Sequence, residues 1–229
     1  MILYIFVVGK NRDYFDLKSL NYSMQNTVAK EIKTKISYSK YGCIFFVASF
    51  PKFDAGYVAK LLAQFEKDGL ITRIAQGIYI KARKTSLGVV YPSAFELVKE
   101  IAKRDKAEII PTGDTAANRL GFSAQVPMNA CFLTSSSSRK LILGKQTIAL
   151  RHGSPKNFAY KGRLMAELVQ ALRNIGEANI TETVEKRIAA LFAKTPETET
   201  FEHDILLAPV WIRQIIKRNL KPEQNNSAK

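Results

Sequence analysis

Two changes of residue period and one change of charge density predict an α+β protein in two parts: a small helix–strand–helix–hairpin unit, then a mixed α/β domain ending in helices. Between Asp54 and Ile80 apolar residues recur first at helical spacing and then in alternation, and a second series of helices and strands starts near Pro92. Positions 1 to 90 hold 14 basic against 6 acidic residues, the remainder 21 against 14, for a net charge of +15. With 229 residues, 46% hydrophobic and 24% charged, the chain has apolar surface enough for a core in each part and is not a disordered polymer.

The N-terminal run Ile2 to Val8 is too short to span a bilayer and has no basic segment before it, so neither a signal peptide nor a membrane role is expected. Met24 opens MQNTVAKEIKTKI, an ordinary protein start. Residues 1–23 are therefore read as a leader upstream of the native start, with an added strand or a dimerisation arm as the rival reading. Asn26 or Thr27 should cap a first helix reaching about Tyr38, with Val28, Ile32 and Ile36 inward and Lys30, Lys33 and Lys35 outward. CIFFVASF has too few polar positions for a surface element and reads as a buried strand followed by a compact helix at Val47 to Phe50, stopped by Pro51.

The next stretch, DAGYVAKLLAQFEKDG, carries Val58, Leu61, Leu62 and Phe65 at i, i+3, i+4 and i+7, between an N-cap at Asp54 and a left-handed stop at Gly69. Gly56, Tyr57, Lys60, Ala63, Gln64 and Lys67 fall on the wet face. LITRIAQGIYI then alternates around Gln76-Gly77 and predicts a half-buried hairpin, with Arg73, Gln76, Lys81 and Arg83 outward. Helix, strand, short helix, helix and hairpin is the chain order of a winged helix-turn-helix, here spanning 24–84. Its expected core is Ile32, Ile36, Ile44, Phe46, Phe50, Val58, Leu61, Leu62, Phe65, Ile74 and Ile78.

A basic linker, KARKTSLGVVYPS, leads to the second domain, 92–220. A helix starting at Pro92 and Ser93 should bury Ala94, Leu97, Val98 and Ile101. EIIPTG, the short helical DTAANRLGF and the strand-like NACFLTSS follow. RKLILGK and QTIALRHG then pair about Gly144 and Lys145. Helices are expected at Gly162 to Ile175, Thr181 to Lys194 and about His203 to Asn219, before a polar tail, 221–229, read as disordered.

A basic protein of this kind calls for an acidic polymer as partner. Tyr57, Lys60 and Gln64 are spaced to meet base edges in a major groove; Lys67, late in the helix, is a weaker contact. Arg73 and Gln76 suit the minor groove or backbone, and Lys81 and Arg83 (with Lys84) suit phosphates. Cys43 and Cys131 sit in apolar runs and His152 and His203 stand apart from them, so neither a disulfide nor a metal site is indicated. Ser135 to Ser138 lacks a neighbouring histidine base in sequence, PTGDTAANRLG lacks the Lys-Ser/Thr of a P-loop, and no Asp-x-Asp pair is present to hold magnesium. No enzyme and no cofactor are therefore expected.

Three segments, LLAQFEKDGLITRIAQGIYI, IIPTGDTAANRLGFSAQVP and CFLTSSSSRKLILGKQTIALRH, resemble the AbiEi-type antitoxin regulators of bacterial type IV toxin–antitoxin systems, and their relatives of uncharacterised function. The most specific part is the pattern Gly113, Ala116, Ala117, Asn118, Leu120, Gly121 and Pro127. The resemblance implies a cytoplasmic autorepressor, associated with abortive infection, that binds inverted repeats of double-stranded DNA at its promoter. It also implies an antagonist of a nucleotidyltransferase-like toxin encoded beside it. A homodimer would present two recognition helices to half-sites about 34 Å or a multiple apart. The alternatives are an accessory subunit of a nucleic-acid-processing enzyme and a protein-binding module.

Overall fold

The computed structural model describes residues 25–86, 88–195 and 200–220. The expectations for the leader 1–23 and the tail 221–229 lie outside them. The architecture is mixed α+β, and the chain divides into two compact units, Met1–Pro92 and Ser93–Lys229.

The first unit begins with helix α1 over residues 25–38. Residue 25 is already helical, so Asn26 and Thr27 lie inside the helix and not ahead of it. Strand β1 (Ile44–Phe46), one 3-10 turn (Val47–Ser49), α2 (Ala55–Lys67), β2 (Thr72–Ala75) and β3 (Ile78–Ile80) follow. The three strands form an antiparallel sheet of order β1-β3-β2, which makes β3 central. Hence Ile78, Tyr79 and Ile80 are all buried, whereas an isolated hairpin would have been wet on one face. The helix-side core is Ile32, Ile36, Phe45, Phe50, Val58, Leu62, Phe65, Ile71 and Tyr79. Three expected core residues are only half-buried: Ile44 at the head of β1, Leu61 on α2, and Ile74, which occupies a bulge between Arg73 and Ala75. Phe45, whose ring stacks on Phe50, takes the helix-side position opposite Tyr79.

The expected basic linker is a second hairpin. Strands β4 (Arg83–Thr85) and β5 (Gly88–Val90) pair antiparallel, and the Thr85 hydroxyl donates to the Gly88 carbonyl at 2.8 Å.

The second unit opens with α3 (Ala94–Asp105). Ser93 and Glu96 form a reciprocal capping box at its start, and that bonding holds the Glu96 carboxyl below its ordinary value. Strands β6 (Ile109–Pro111), β7 (Asn129–Thr134), β8 (Arg139–Leu143) and β9 (Gln146–His152) form a sheet of order β6-β7-β9-β8. The β8–β9 hairpin turns at Gly144 and Lys145, and β9 runs parallel to β7. Because β9 lies between β7 and β8, Ser135 to Ser138 must bridge about two strand spacings over the end of β9. His152, the last residue of β9, satisfies that bridge. Its N–H donates to the Ser138 hydroxyl at 2.8 Å and its Nδ1 to the Ser136 carbonyl at 3.0 Å.

Helix α4 (Asp114–Arg119) joins β7 to α5 (Arg163–Ile175). The Thr115 hydroxyl accepts from the Cys131 amide of β7 at 2.8 Å, Thr112 donates to Gln170 at 3.1 Å, and Asn174 donates to Asp114 at 2.8 Å. Ala116 and Ala117 are buried, and only small side chains let two helices approach that closely. Arg119 pairs with Glu167 at 2.8 Å while its guanidinium lies 3.6 Å from the Phe95 ring centre. Burial raises the Glu167 carboxyl above its usual range against the pull of Arg119. Helix α6 (Glu182–Lys194) closes over this hub: Arg187 donates to the Leu120 carbonyl at 2.5 Å and its guanidinium fills the space beside Gly121.

The last expected helix is two, α7 (Phe201–Leu207) and α8 (Val210–Leu220). Pro209 forces Ala208 into an extended conformation (ψ 149°), and Arg213 donates to the Leu206 and Ala208 carbonyls that the break leaves open. Asp204, fully buried in α7, accepts from the Lys161 and Gly162 amides at 2.9 and 2.6 Å and so fastens the start of α5.

Two outcomes follow from these contacts. A Cβ at Gly121 (φ +75°) would lie 2.5 Å from Arg187 Nη2, so Gly121→Ala should destabilise the second unit by about 1–3 kcal/mol in urea denaturation. Burial pushes the Asp105 carboxyl up, but Arg104 and Arg139, both bonded to it, outweigh this and hold it below its ordinary value of 3.8. The stability it contributes is therefore complete above about pH 4 and lost as pH falls below that. The urea midpoint of Asp105→Asn should vary less than that of the wild type between pH 4 and pH 2. Glu167, shifted the opposite way, titrates above that range.

Candidate nucleic-acid interface

Helix α2 owes its orientation to its own sequence. The Asp54 carboxylate accepts from the Tyr57 amide at 2.8 Å, and Gly69 (φ +75°) turns the chain out of the helix. Val58, Leu62 and Phe65 are buried and Leu61 is half-buried, so the helix cannot rotate without exposing that row. The opposite face is thereby fixed in solvent. It carries Gly56, Lys60, Gln64 and Lys67, all exposed, with Ala63 half-buried among them.

Lys60 has no hydrogen-bond or ion-pair partner among the described residues. Gln64, one turn on, donates through Nε2 to the Asp68 carboxylate at 2.8 Å, which leaves its amide oxygen open. Lys67 lies in the last turn, where its charge also complements the helix C-terminus. Tyr57 is different. Half-buried at the side of the helix, it donates its hydroxyl to the Gln25 carbonyl of α1 at 3.0 Å. That bond ties the starts of α1 and α2 across a cleft of about 520 Å³, which Lys52 and Lys60 flank.

Arg73 is exposed on β2 opposite Tyr79, its Nε no closer than 3.4 Å to the Ala75 carbonyl. Gln76 is exposed at the turn, where Gly77 (φ +70°) supplies the reversal. These two and the α2 residues thus lie on consecutive elements of one unit.

Lys81 does not belong with them. Its ammonium donates to the Ser37 and Ser39 carbonyls at 2.5 and 2.7 Å and lies 5.3 Å from the Tyr41 ring centre, so it caps the C-terminus of α1 rather than facing solvent. Arg83 is exposed, but on β4 and not on a linker. Two more cations are well placed: Lys84, expected beside Arg83, and Lys52, outside the expected set. Lys52 is exposed in the turn before α2, and Lys84 on β4 is exposed with its Nζ near Gly69, at the end of α2. A basic residue ahead of a helix N-terminus, whose free N–H groups also favour anions, is the signal that marks Lys52.

Among the described residues no group of three or more His, Cys, Asp or Glu is arranged to hold a metal. Cys43 and Cys131 are free and half-buried. His152 does meet the serine run in space, but it bonds a carbonyl and its amide bonds the Ser138 hydroxyl, so no serine hydroxyl faces an imidazole base. PTGDTAANRLG spends its polar groups on packing, with Thr112, Asp114, Thr115 and Asn118 all bonded within the unit. No described helix is long and apolar enough to cross a membrane.

Residues 31–200 match a family of unknown function, DUF6088. No curated protein matches the chain.

Lys81→Met should lower the stability of the first unit by about 1–2 kcal/mol, since two helix carbonyls lose a charged donor. Lys60→Met should leave it within about 0.5 kcal/mol. Thermal unfolding of the two variants checks this.

Proposed function

Because the chain belongs to DUF6088, a family whose name assigns no activity, its role has to be read from its own surfaces, and we propose that it is a DNA-binding transcriptional regulator without enzymatic activity. In this reading residues 25–80 act as a winged helix-turn-helix, α2 enters the major groove, and the β2–β3 turn touches the flank. The helix before α2 is reduced to the single 3-10 turn Val47–Ser49, which suffices to set its entry angle.

One observation carries the reading. The buried row of α2 pins the opposite face outward, and that face presents Lys60, Gln64 and Lys67 in a unit with a large excess of basic residues. Lys reads guanine O6 or N7, and the free amide oxygen of Gln64 accepts from adenine N6, while its Nε2 exchanges Asp68 for adenine N7. Tyr57, held by Gln25, orients the helix and at most brushes a phosphate.

The likeness of its three segments to AbiEi-type regulators supports a narrower version: a cytoplasmic, dimeric autorepressor acting on promoter inverted repeats. The second unit would then serve dimerisation and antagonism of a nucleotidyltransferase-like toxin. That unit's sheet and helical core give a rigid body suited to holding a protein partner.

In gel shifts on the DNA directly upstream of the chain's own gene, wild type should prefer that duplex over random sequence. Lys60→Ala should lose about 1–3 kcal/mol of that preference, and Gln64→Ala a similar amount. Arg73→Ala should weaken binding to both duplexes alike and lower the salt slope by about 1. Equal binding of wild type to both duplexes would remove the repressor reading. Coexpression with the neighbouring open reading frame tests the antitoxin half: relief of that frame's toxicity is expected, and none would exclude it.

A further inference from the structure

The β4–β5 ribbon is the part of the first unit that the proposed groove contact leaves unexplained. All six of its strand residues are exposed, Val89 and Val90 being 41% and 54% accessible. Among the described residues the two strands pair only with each other. A lone two-stranded hairpin is marginally stable in water, and exposed β-branched residues on it gain nothing until something covers them. The ribbon is thus built to be completed by a partner.

Charge identifies the partner. No acidic residue occurs between Asp68 and Glu96, a stretch that includes Arg73, Lys81, Arg83 and Lys84. Lys81 is consumed in capping α1. Arg83 and Lys84 form no ion pair among the described residues. Being consecutive on a strand, they stand on opposite faces, Arg83 beside Val90 and Lys84 beside Val89. Each face therefore offers one cation and one small apolar side chain, the pair needed for a phosphate and the adjoining deoxyribose. Position agrees: Lys84 Nζ lies 3.6 Å from where a Cβ on Gly69 would stand, so the ribbon is rooted at the C-terminal end of α2.

We propose that the β4–β5 ribbon is a second DNA-contacting element, lying along the sugar-phosphate backbone that flanks the groove entered by α2. This rests on the DNA-binding reading of α2 and lengthens its contact by one flank. Three residues of strand cover about 10 Å, or roughly 3 base pairs at 3.4 Å each.

The test is hydroxyl-radical footprinting and salt titration of the full chain on the duplex upstream of its own gene. The variants are Arg83→Ala with Lys84→Ala, Val89→Ser with Val90→Ser, and the charge-keeping Arg83→Lys with Lys84→Arg. The alanine pair should lose roughly 3 base pairs of protection on one flank, bind at least tenfold more weakly near 0.15 M salt, and show a salt slope lower by about 1.8, with central protection intact. The serine pair should lose the same flank without the slope change. The charge-keeping pair should retain both, which separates lost charge from a damaged fold. An unchanged flank and slope in the alanine pair would overturn the proposal. So would a serine pair that keeps the footprint but sediments as a smaller species, which would make the ribbon an interface between copies. If wild type protects no DNA at all, the reading of α2 fails first and takes the ribbon with it; a normal central footprint with an unaltered flank sinks the ribbon alone.

Discussion

The packing of Val58, Leu62 and Phe65 against Phe45, Ile71 and Tyr79 decides which way α2 faces. Full burial of such side chains is worth about 1.5–3 kcal/mol each, so turning the helix by half a turn would cost most of a small unit's stability. Everything functional in the first unit is the complement of that row. Lys60, Gln64 and Lys67 are outward because the others are inward, and Arg73 and Gln76 follow because Gly69 ends the helix where β2 can join β3. Lys81 belongs to the same construction. By closing the end of α1 it holds in place the helix whose Ile32 and Ile36 complete the core.

The second unit depends on a different device. Its most distinctive segment, from Thr112 to Gly121, has almost every polar group engaged and its alanines buried, so that a sheet, α5 and α6 meet on one short helix. A segment so constrained marks a fold more sharply than a binding site, since nearly any substitution there disturbs several neighbours at once. The surfaces free to evolve for partners are the ones that packing does not claim.

Much of this was legible in the residues because it rests on period and punctuation. The apolar row of α2, the turn at Gln76-Gly77, the hairpin about Gly144, and the starts of α3 and α6 at Ser93 and Thr181 are all local signals. What escaped is non-local. Nothing near Lys81 reveals that the end of α1, more than forty residues earlier, lies beside it. The serine run gained a histidine only because β9 inserts between β7 and β8, a strand order that spacing does not encode. Ile74 lost its core place to a one-residue bulge, and β3 was buried on both faces by becoming the middle strand. The break at Pro209 was readable, since a proline seldom continues a helix. The β4–β5 ribbon was not, because basic and glycine-containing stretches read equally well as linkers.

The most direct test of the central claim places a cleavage reagent on the outward face of α2. An iron-chelate probe attached at Ala59→Cys, an exposed position of α2 beside Lys60 and not one of the proposed base contacts, in a chain whose Cys43 and Cys131 are replaced by Ala, would be bound to the duplex upstream of the chain's own gene. If α2 lies in the major groove, strand scission should concentrate in two short clusters about 34 Å or a multiple apart. Scission spread evenly along the duplex, or none above that of free probe, would contradict the account.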